Sequence, residues 1–436
     1  MADFARSDSP AVQAQLDRLA KLSPGGDRLG LDRITRLLQK LGQPQDRLPP
    51  MFHVAGTNGK GSTCAFLRGA LEASGRSVHV FTSPHLVRFN ERIRIAGKLI
   101  DDDALAALLA EVLDAGGDIE PSFFEVTTAA AFLAFSRVPA NAAVIEVGLG
   151  GRLDATNVIE RPLVTGITSL GVDHQQFLGK RLPDIAAEKA GIAKAGVPLL
   201  TQLYPPNVST RIWQAAKDAG AQWLPRGGAW DAAIRQGKLK YRDHRGSLDL
   251  PLPTLPGKHQ ALNAGLAIAM LRHQSALPVG EDAMAAALKR TDWPARMQKL
   301  SEGPLTALLP PGSEVWIDGG HNPSAARSVA EFVQLRFGGD LPLAVIFASL
   351  SSKDPRGTLA PFRGLASEVL TLPIKDHQHF TPDELAALAT GMGFRASPHE
   401  TLDQAFRAIA RPARVFVFGS LYLAGEALAA NDQAPD

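Results

Sequence analysis

The stretch VAGTNGKGST, Val54 to Thr63, contains residue types that hold the phosphates of a nucleotide. Its glycines allow backbone N–H groups to approach an anion closely, and Lys60 adds a compact positive charge for the β- and γ-phosphates. The residue after this lysine is Gly61, where a phosphate loop normally has the hydroxyl that holds magnesium. Ser62 and Thr63 follow one position late, and Val54 replaces the first glycine of the longer pattern. Further oxygen ligands for the metal must therefore come from other segments.

Two predicted elements flank this loop. The apolar run from Phe52 to Gly56 predicts a strand, and TCAFLRGALEAS has the apolar spacing of a helix. A helix N-terminus that follows a strand favours phosphate binding, whereas a glycine-rich turn with a surface lysine is the alternative. The predicted nucleotide-binding residues of the loop are Gly56, Thr57, Asn58, Gly59, Lys60, Gly61, Ser62 and Thr63.

A carboxylate at the end of a later strand is a candidate metal ligand. Glu146 follows an apolar run, and open α/β sheets bind ligands at the carboxyl ends of their strands. A carboxylate in such a run is costly unless it is paired. Ser83 and His174 are weaker candidates from the residues alone, because a serine before a proline suits a turn and a lone loop histidine is usually not a ligand.

The elements that must position these residues alternate along the chain. Further β-branched runs at Val78–Thr82, Ala142–Gly148 and Leu163–Thr168 are separated by helical stretches such as DALAALLAEVLDA. This alternation predicts a mainly parallel sheet covered by helices. The stretch from Tyr204 to Pro256 is less regular, and we interpret its LPLPTLPG as a proline-rich connection.

A second, smaller α/β domain is predicted in the C-terminal third. Four apolar runs, VWIDGG, LAVIFASL, EVLTLPI and RVFVFGS, alternate there with helical segments. The segment TDWPARMQKLSEG, Thr291 to Gly303, contains Pro294 and is the predicted linker. The final residues, AANDQAPD, are predicted to be a frayed tail.

Composition excludes several classes of protein. The chain has 436 residues, of which 45% are apolar and 21% charged, a balance typical of globular proteins, and it contains no apolar run that could span a bilayer. The net charge of +2 provides no broad basic surface for nucleic acid. The single cysteine, Cys64, excludes an internal disulfide framework, and we expect it to be a buried apolar residue. Because the N-terminus also lacks the pattern of a secretory signal, we expect a cytoplasmic protein.

A series of motifs then points to a known family. They are AGTNGKGST, FTSPHLVRFNERIRI, SFFEVTT, VIEVGLGGRLDATN, SLGVDHQQFLG, EKAGI, LNAGLA, WPARMQ and DGGHNP, in order from Ala55 to Pro323, with FGS at Phe418–Ser420. With these motifs the chain resembles the folylpolyglutamate synthase and dihydrofolate synthase family, within the ATP-dependent Mur-type amide ligases. The resemblance covers nearly the whole chain.

The resemblance implies an architecture and a reaction. An N-terminal P-loop, Mur-ligase-like domain, residues 1–297, would bind ATP and the pterin, and a Rossmann-like α/β domain, residues 298–436, would close over the nucleotide and glutamate. The enzyme would add L-glutamate to dihydropteroate and to reduced folates through an acyl phosphate. It would use ATP and Mg²⁺, with two ions expected, and would act as a monomer on small molecules rather than on nucleic acid or membranes.

The resemblance also assigns metal ligands. In the family, magnesium is held by residues that correspond to Ser83, Glu146 and His174. Lys189, in EKAGI, corresponds to a lysine that is carbamylated and lies near a second metal, although the pattern alone favours a solvated surface charge on a helix.

Two further residues correspond to the family's pterin pocket. Phe124 and the loop of Ser83 would line it, and Asp154 would contact the ring. An aromatic face beside a carboxylate suits a flat heterocycle with adjacent N–H donors. From the residues alone, Phe124 is equally well a core residue and Asp154 a helix cap or turn residue.

The remaining implied contacts are with the nucleotide. Asn263 would lie near the adenine, Arg296 at the phosphates, and Asp318 and His321 near the ribose and phosphates. Gly320 replaces the alanine of the family's DGAHNP, and WPAR stands where PGR is more usual. Without the resemblance, DGGHNP predicts a turn that begins a helix. The implied catalytic residues are Lys60, His174, Lys189 and Arg296.

Alternative functions remain open at this point. One is folylpolyglutamate synthase activity alone, and another is a different Mur-type ligase with a nucleotide-sugar acceptor, against which SFFEVTT and GGRLDATN argue. A nucleotide-dependent switch is a third, but the chain has no NKxD motif for reading a base.

Overall fold

The structure is a computed structural model that describes residues 5–22, 29–338 and 341–435. Its contacts divide the chain into two compact units. Unit 1 comprises Met1–His85, Phe89–Thr254 and His259–Asp292, and unit 2 comprises Leu86–Arg88, Leu255–Lys258 and Trp293–Asp436. The predicted domain boundary after Met297 stays a prediction.

The main sheet of unit 1 has, among the described residues, eight strands in the order β4-β3-β2-β5-β1-β6-β7-β8. The six strands β2, β5, β1, β6, β7 and β8 pair in parallel, whereas β3 pairs antiparallel with β2 and with the edge strand β4. Every residue of β1 is buried, as expected for a central strand of a parallel sheet. The strands are β1 Met51–Ala55, β2 Val78–Phe81, β3 Ile93–Ile95, β4 Lys98–Leu99, β5 Ala142–Glu146, β6 Val164–Ile167, β7 Pro198–Thr201 and β8 Gln222–Pro225.

Helices cover this sheet, and two of them begin at capping side chains. Ser122 and Glu125 form a capping box at the start of α5, and Asp101 caps α4. The helices of unit 1, together with α9, whose first residue belongs to unit 2, are α1 Pro10–Leu22, α2 Asp32–Lys40, α3 Lys60–Ala73, α4 Asp102–Gly116, α5 Phe123–Arg137, α6 Gln175–Leu178, α7 Leu182–Ala190, α8 Pro206–Asp218, α9 Lys258–Arg272 and α10 Glu281–Arg290.

Most of the segment predicted to be less regular forms helix or strand, so that prediction is wrong for most of its length, whereas residues 252–257 form a connection as LPLPTLPG predicts. After α8 and β8 it forms a three-stranded antiparallel sheet in the order β11-β10-β9. The strands are β9 Trp230–Arg235, β10 Lys238–Asp243 and β11 Gly246–Pro251. Gln236 and Gly237 join β9 to β10 with positive φ angles, as a tight hairpin requires. The strands were missed because each contains only a short alternation of apolar residues, interrupted by exposed charged residues.

Unit 2 is built around a six-stranded sheet of described residues in the order β12-β13-β17-β14-β15-β16. Only its edge strand β12 pairs antiparallel. The strands are β12 Gln298–Lys299, β13 Glu314–Ile317, β14 Leu343–Phe347, β15 Ala366–Thr371, β16 Ala396–Pro398 and β17 Arg414–Phe418. The helices are α11 Pro323–Arg336, α12 Pro355–Leu359, α13 Pro382–Gly391, α14 Leu402–Ala408 and α15 Leu421–Ala430.

The chain end is more ordered than predicted. Asn431 follows α15 and is buried, and its side chain donates to the carbonyl of Ser301 at 3.0 Å. The same side chain accepts a hydrogen bond from the backbone N–H of Thr306. The prediction of a frayed tail is therefore wrong for its first residues. Among the residues placed by the structure, no helix is both long and apolar enough to cross a membrane.

Candidate active site

The phosphate loop leaves the carboxyl end of β1, the strand on whose two sides the neighbouring strands β5 and β6 lie. Its backbone is tied to the segment after β6: the N–H groups of Thr57 and Asn58 both donate to the carbonyl of Ser169, at 2.9 and 3.1 Å. The Thr57 hydroxyl donates to the carbonyl of Gly171 at 3.1 Å. These hydrogen bonds fix the position of the loop at the carboxyl edge of a parallel sheet, where such folds bind ligands.

Two loop glycines are required by close packing. At Gly56, with φ +150°, a Cβ would overlap the hydroxyl of Thr168. At Gly59, with φ +89°, a Cβ would overlap the side-chain oxygen of Asn263. Asn263 is itself buried and donates to the side chain of Gln260. The residue predicted near the adenine therefore packs directly against the loop.

Hydroxyl groups in the first turn of α3 face no partner within the described part of the chain. Ser62 Oγ and Thr63 Oγ1 are both buried and accept or donate no hydrogen bond there. Buried polar atoms are normally paired, so these oxygens fit an anion or a hydrated cation at the helix N-terminus. Cys64, next along the helix, is buried as predicted, and burial raises the pKa of its thiol.

Glu146 ends β5 opposite Val54 of β1 and is only 4% exposed. Its Oε1 lies 3.7 Å from Nζ of Lys60, and its Oε2 accepts from the backbone N–H of Ser83 at 3.4 Å. A buried carboxylate is tolerated where cations or donors surround it. The structure thus brings Lys60, Ser83 and Glu146 together, with oxygen ligands of the kind that Mg²⁺ prefers.

His174 lies on the segment that supports the phosphate loop. It follows Gly171 in the chain, adopts φ +51° and precedes α6, and its backbone N–H donates to Asp173 Oδ1 at 2.8 Å. The imidazole is partly exposed. His174 is therefore carried by the same loop whose carbonyls bind Thr57 and Asn58.

Lys189 is buried, although a solvated surface charge was the alternative interpretation. It lies near the end of α7, is 4% exposed and donates from Nζ to the carbonyl of Gly56 at 2.9 Å. That carbonyl belongs to the phosphate loop. The lysine is thus directly bonded to the loop that the sequence predicts to bind ATP.

The predicted pterin residues Phe124 and Asp154 come before and after Glu146 in the chain. Phe124, at the start of α5, packs so closely on Gly148 that a Cβ there would overlap its ring. Asp154 is buried and caps a short helical turn, Ala155–Val158, as the structural alternative predicted. Burial raises the pKa of its carboxyl, while bonds from Leu149 and Thr156 and the charge of Lys60 act in the opposite sense.

Unit 2 gathers three of its predicted residues at the carboxyl end of β13. Asp318 is buried, and its two oxygens accept from the N–H groups of Met297 and Gly320, at 2.9 and 2.8 Å. Arg296 precedes Met297 in the chain, and its guanidinium donates to the carbonyl of Ala295. His321 Nδ1 lies 3.2 Å from the carbonyl of Gly319. The turn then begins α11, which Asn322 caps, as DGGHNP predicts.

A second group of potential metal ligands in unit 1 is already satisfied. Asp243, His244 and His273 place ligand atoms within 4.8 Å of one another. However, Asp243 accepts two bonds of 2.6 Å from Arg272, one from the Tyr241 hydroxyl and one from a backbone N–H. With its carboxylate oxygens fully used, Asp243 forms an ion pair that joins β10 to α9 rather than a cation site.

Comparisons with known proteins agree with the motifs. A dihydrofolate synthase/folylpolyglutamate synthase from Bacillus subtilis is 36% identical over 352 residues, 75% of this chain and 77% of that protein. The solved structure of Escherichia coli FolC in complex with DHPP and ADP is 32% identical, with a TM-score of 0.86 over 97% of each chain.

This chain belongs to the dihydrofolate synthase/folylpolyglutamate synthase family. A bifunctional folylpolyglutamate synthase/dihydrofolate synthase solved with Mn, AMPPNP and L-glutamate bound is also similar, at 31% identity and a TM-score of 0.84. No protein-family model matches the chain. The predicted fold class, a Mur-ligase-like α/β protein with mainly parallel sheets, is confirmed by these structural neighbours of the family.

Some residues at the family's nucleotide loop were not found from the sequence. Thr168 ends the β6 run, and its buried hydroxyl faces Gly56 without a partner in the described ranges. His53 and Thr156 form a buried hydrogen bond beneath Asp154. A histidine inside an otherwise apolar strand was the available signal for this pair, because burying an imidazole is costly unless it bonds.

Proposed function

We propose that this chain is an ATP-dependent ligase that adds L-glutamate to dihydropteroate, forming dihydrofolate, and to reduced folates, forming folylpolyglutamates. The observation that carries the proposal is the buried Glu146 carboxylate between Lys60 and Ser83, beside a glycine loop and a helix start whose hydroxyls, at Ser62 and Thr63, have no partner among the described residues. Family membership supports the same reaction. The ligands named for solved relatives, DHPP with ADP and Mn with AMPPNP and L-glutamate, are the ligand classes that we extend to this chain.

The chemical difficulty is that a carboxylate is a poor electrophile. In the proposed first step a carboxylate oxygen of the acceptor attacks the γ-phosphorus of ATP, and the bond from that phosphorus to the bridging oxygen of ADP breaks. Lys60 neutralises charge on the transferred phosphoryl group, and the N–H groups of the loop bind the phosphates. The products of this step are ADP and an acyl phosphate.

In the second step the free amine of L-glutamate attacks the acyl carbon. The tetrahedral intermediate then breaks its bond to the phosphate oxygen and leaves the amide, and the proton lost by the amine departs with the released phosphate. Phe124 and Asp154 are proposed to orient the heterocycle of the acceptor. Orientation matters because a carboxylate held in line with the γ-phosphorus reacts far faster than a free one.

A divalent cation, proposed to be magnesium, neutralises triphosphate charge when it is bound. Ser83, Glu146 and His174 are proposed to hold it, and the oxygen donors at Ser83 and Glu146 fit such an ion.

Lys189 is proposed to be carbamylated beside a second ion, and a carbamate keeps one N–H for the bond to Gly56. Isotopically labelled bicarbonate should then give a carbamate signal that Lys189→Gln lacks, and identical spectra would exclude it.

Unit 2 is proposed to contribute further nucleotide contacts through Arg296, Asp318 and His321, and Asn263 is proposed to contact the adenine.

We also propose that the enzyme is cytoplasmic and that it is a monomer. A monomer is sufficient because all residues used in the mechanism come from one chain. Sedimentation of the purified protein measures its oligomeric state, and a dimer at assay concentration would refute the proposal of a monomer.

The test of the function is a paired assay. The purified chain is given ATP, magnesium and L-glutamate with either dihydropteroate or tetrahydrofolate, and phosphate and the folate product are both measured. We expect phosphate release that requires glutamate and matches amide formation for each acceptor. Activity with tetrahydrofolate alone would restrict the enzyme to folylpolyglutamate synthesis, and no glutamate-dependent phosphate with either acceptor would refute the proposal.

The matched variants are Glu146→Gln and Glu111→Gln. The first removes the buried negative charge beside Lys60, and we expect the rate to fall by about 100-fold or more. The second alters an exposed carboxylate on α4 that pairs with Arg137, and we expect it to leave the rate unchanged.

A further inference from the structure

A buried chain of polar side chains leads from the central strand to Asp154. His53, in β1, lies with Nε2 2.8 Å from the hydroxyl oxygen of Thr156. That hydroxyl donates to Asp154 Oδ1 at 2.5 Å. His53 and Thr156 are completely buried, and Asp154 is 2% exposed. The three groups come from two elements that are about a hundred residues apart.

The hydrogen bonds of this chain can run in only one direction when Asp154 is ionised. An ionised carboxylate only accepts, so the single proton of the Thr156 hydroxyl points to Asp154. The hydroxyl oxygen must then accept from His53, which places the imidazole proton on Nε2. His53 Nδ1 has no partner among the residues that the structure describes, so nothing would accept a second proton there.

The charge state of His53 agrees with this direction. Burial, with a smaller contribution from the charge of Lys194, lowers the pKa of the imidazole from 6.5 to about 3. The ring is therefore neutral at physiological pH and can serve as a donor through Nε2 alone. Lys194 donates its own hydrogen bond to the carbonyl of Asn157, so it supports the same turn.

The chain of bonds leaves one side of the carboxylate available. Oδ1 of Asp154 accepts from both the hydroxyl and the N–H of Thr156, whereas Oδ2 accepts from the N–H of Leu149 at 2.8 Å. A carboxylate oxygen can accept two hydrogen bonds, so Oδ1 is saturated and Oδ2 retains one lone pair. The turn of Leu149 follows Gly148, on which the Phe124 ring packs.

We propose that His53 and Thr156 are positioning residues that hold the Asp154 carboxylate in one orientation, with the lone pair of Oδ2 presented to an N–H donor of the heterocyclic acceptor. This inference rests on the proposed function, because it concerns the acceptor of that reaction. It goes further by naming two residues that touch no substrate but set how tightly the heterocycle binds. Nucleotide binding does not depend on them.

The test compares three substitutions at buried threonines. Thr156→Val removes the hydroxyl and keeps the shape, Thr156→Ser keeps the hydroxyl, and Thr165→Val removes a buried hydroxyl from β6 that donates to the carbonyl of Pro198. We expect Thr156→Val to raise KM for dihydropteroate about tenfold, equivalent to about 1.4 kcal/mol. Thr156→Ser should recover it to within about twofold. KM for ATP and for glutamate should change by less than about twofold in every variant.

A second pair tests the donor at His53. His53→Leu removes the Nε2 donor, and His53→Gln keeps an amide N–H that can reach the same oxygen. We expect the leucine variant to raise KM for dihydropteroate several-fold and the glutamine variant to restore most of it. Thermal unfolding of all variants identifies any that have lost the native fold.

The outcomes separate this inference from the proposed function. Equal KM values for dihydropteroate in Thr156→Val and Thr156→Ser, or a parallel rise in KM for ATP, would overturn the positioning role while the ligase activity remained. Calorimetric titration with dihydropteroate measures the affinity of each variant directly and repeats the comparison without turnover. A wild-type protein that neither turns over nor binds dihydropteroate or tetrahydrofolate would overturn the proposed function and this inference together.

Discussion

At the scale of single residues, the site depends on charges and polar groups that are buried but paired. Glu146 and Lys60 compensate each other beside the loop, and Lys189 donates to the carbonyl of Gly56. Removing one partner of such a pair leaves an uncompensated buried group, which is usually more costly than replacing both. The rate and the stability of single variants here should therefore be interpreted together.

His53 provides a residue-scale prediction about pH. The pKa of its imidazole is about 3 in the folded protein against an ordinary 6.5, because it is buried. Between these values the unfolded state binds a proton that the folded state does not, so folding stability is lost as the pH falls below about 6.5. The contribution of His53 should fall by about 1.4 kcal/mol per pH unit in this window.

Native-state hydrogen exchange of the β1 amides measures this effect at pH 6 and at pH 5. The difference in free energy of opening between wild type and His53→Gln should shrink on acidification, because the variant lacks the titrating group. His244→Gln, which replaces an exposed imidazole, is the control. A difference for His53→Gln that does not vary with pH would contradict a buried neutral imidazole.

At the scale of elements, β1, its loop and α3 form one unit whose geometry requires glycine. Gly59 precedes α3 with a left-handed φ, and the side chain of Asn263 on α9 occupies the space beside it. Gly75, just after α3, also has a left-handed φ of +82° but faces open space. The two positions separate backbone strain from steric overlap.

We therefore predict different outcomes for Gly59→Ala and Gly75→Ala. Each should lose about 1–2 kcal/mol of stability from the left-handed backbone. Only Gly59→Ala should also weaken AMPPNP binding, by about tenfold or more, because its methyl group must displace Asn263 or the loop. Calorimetric titration with AMPPNP and magnesium measures the affinity of each variant. Equal affinities in the two variants would show that the loop tolerates the overlap.

At the scale of the whole molecule, ligand binding should appear as stability. A nucleotide that binds only the folded state stabilises it by about 2.7 kcal/mol at a concentration of 100 Kd. The negative charge of the buried Glu146 carboxylate lies beside Lys60 of the loop, so the nucleotide should bind weakly unless a cation accompanies it.

The melting temperature should therefore respond to the nucleotide and the cation together. AMPPNP with magnesium should raise it in the wild-type protein, and addition of EDTA should remove most of the increase. Lys60→Ala should lose most of the increase as well, whereas Lys217→Ala, on the surface of α8, should retain it. An equal increase with and without the cation would argue against a metal held by Glu146.

Much of the candidate site was predictable because its chemistry is local. A glycine loop between a strand and a helix, a carboxylate that ends a strand, and an asparagine that caps α11 all depend on neighbours in the chain. The same holds for the mainly parallel sheets, which follow from alternating elements. The hairpins β9–β11 were missed because their apolar alternation is short and interrupted by charge.

What the sequence by itself determined was which residue types stand at the ends of which strands and helices, since propensity and periodicity act over a few residues. Tertiary structure decided which distant groups meet. Lys189 reaches Gly56 across 133 positions, and His53 reaches Thr156 across 103. Such contacts depend on how helices pack on the sheet and on which strands lie side by side, and neither is encoded in local spacing.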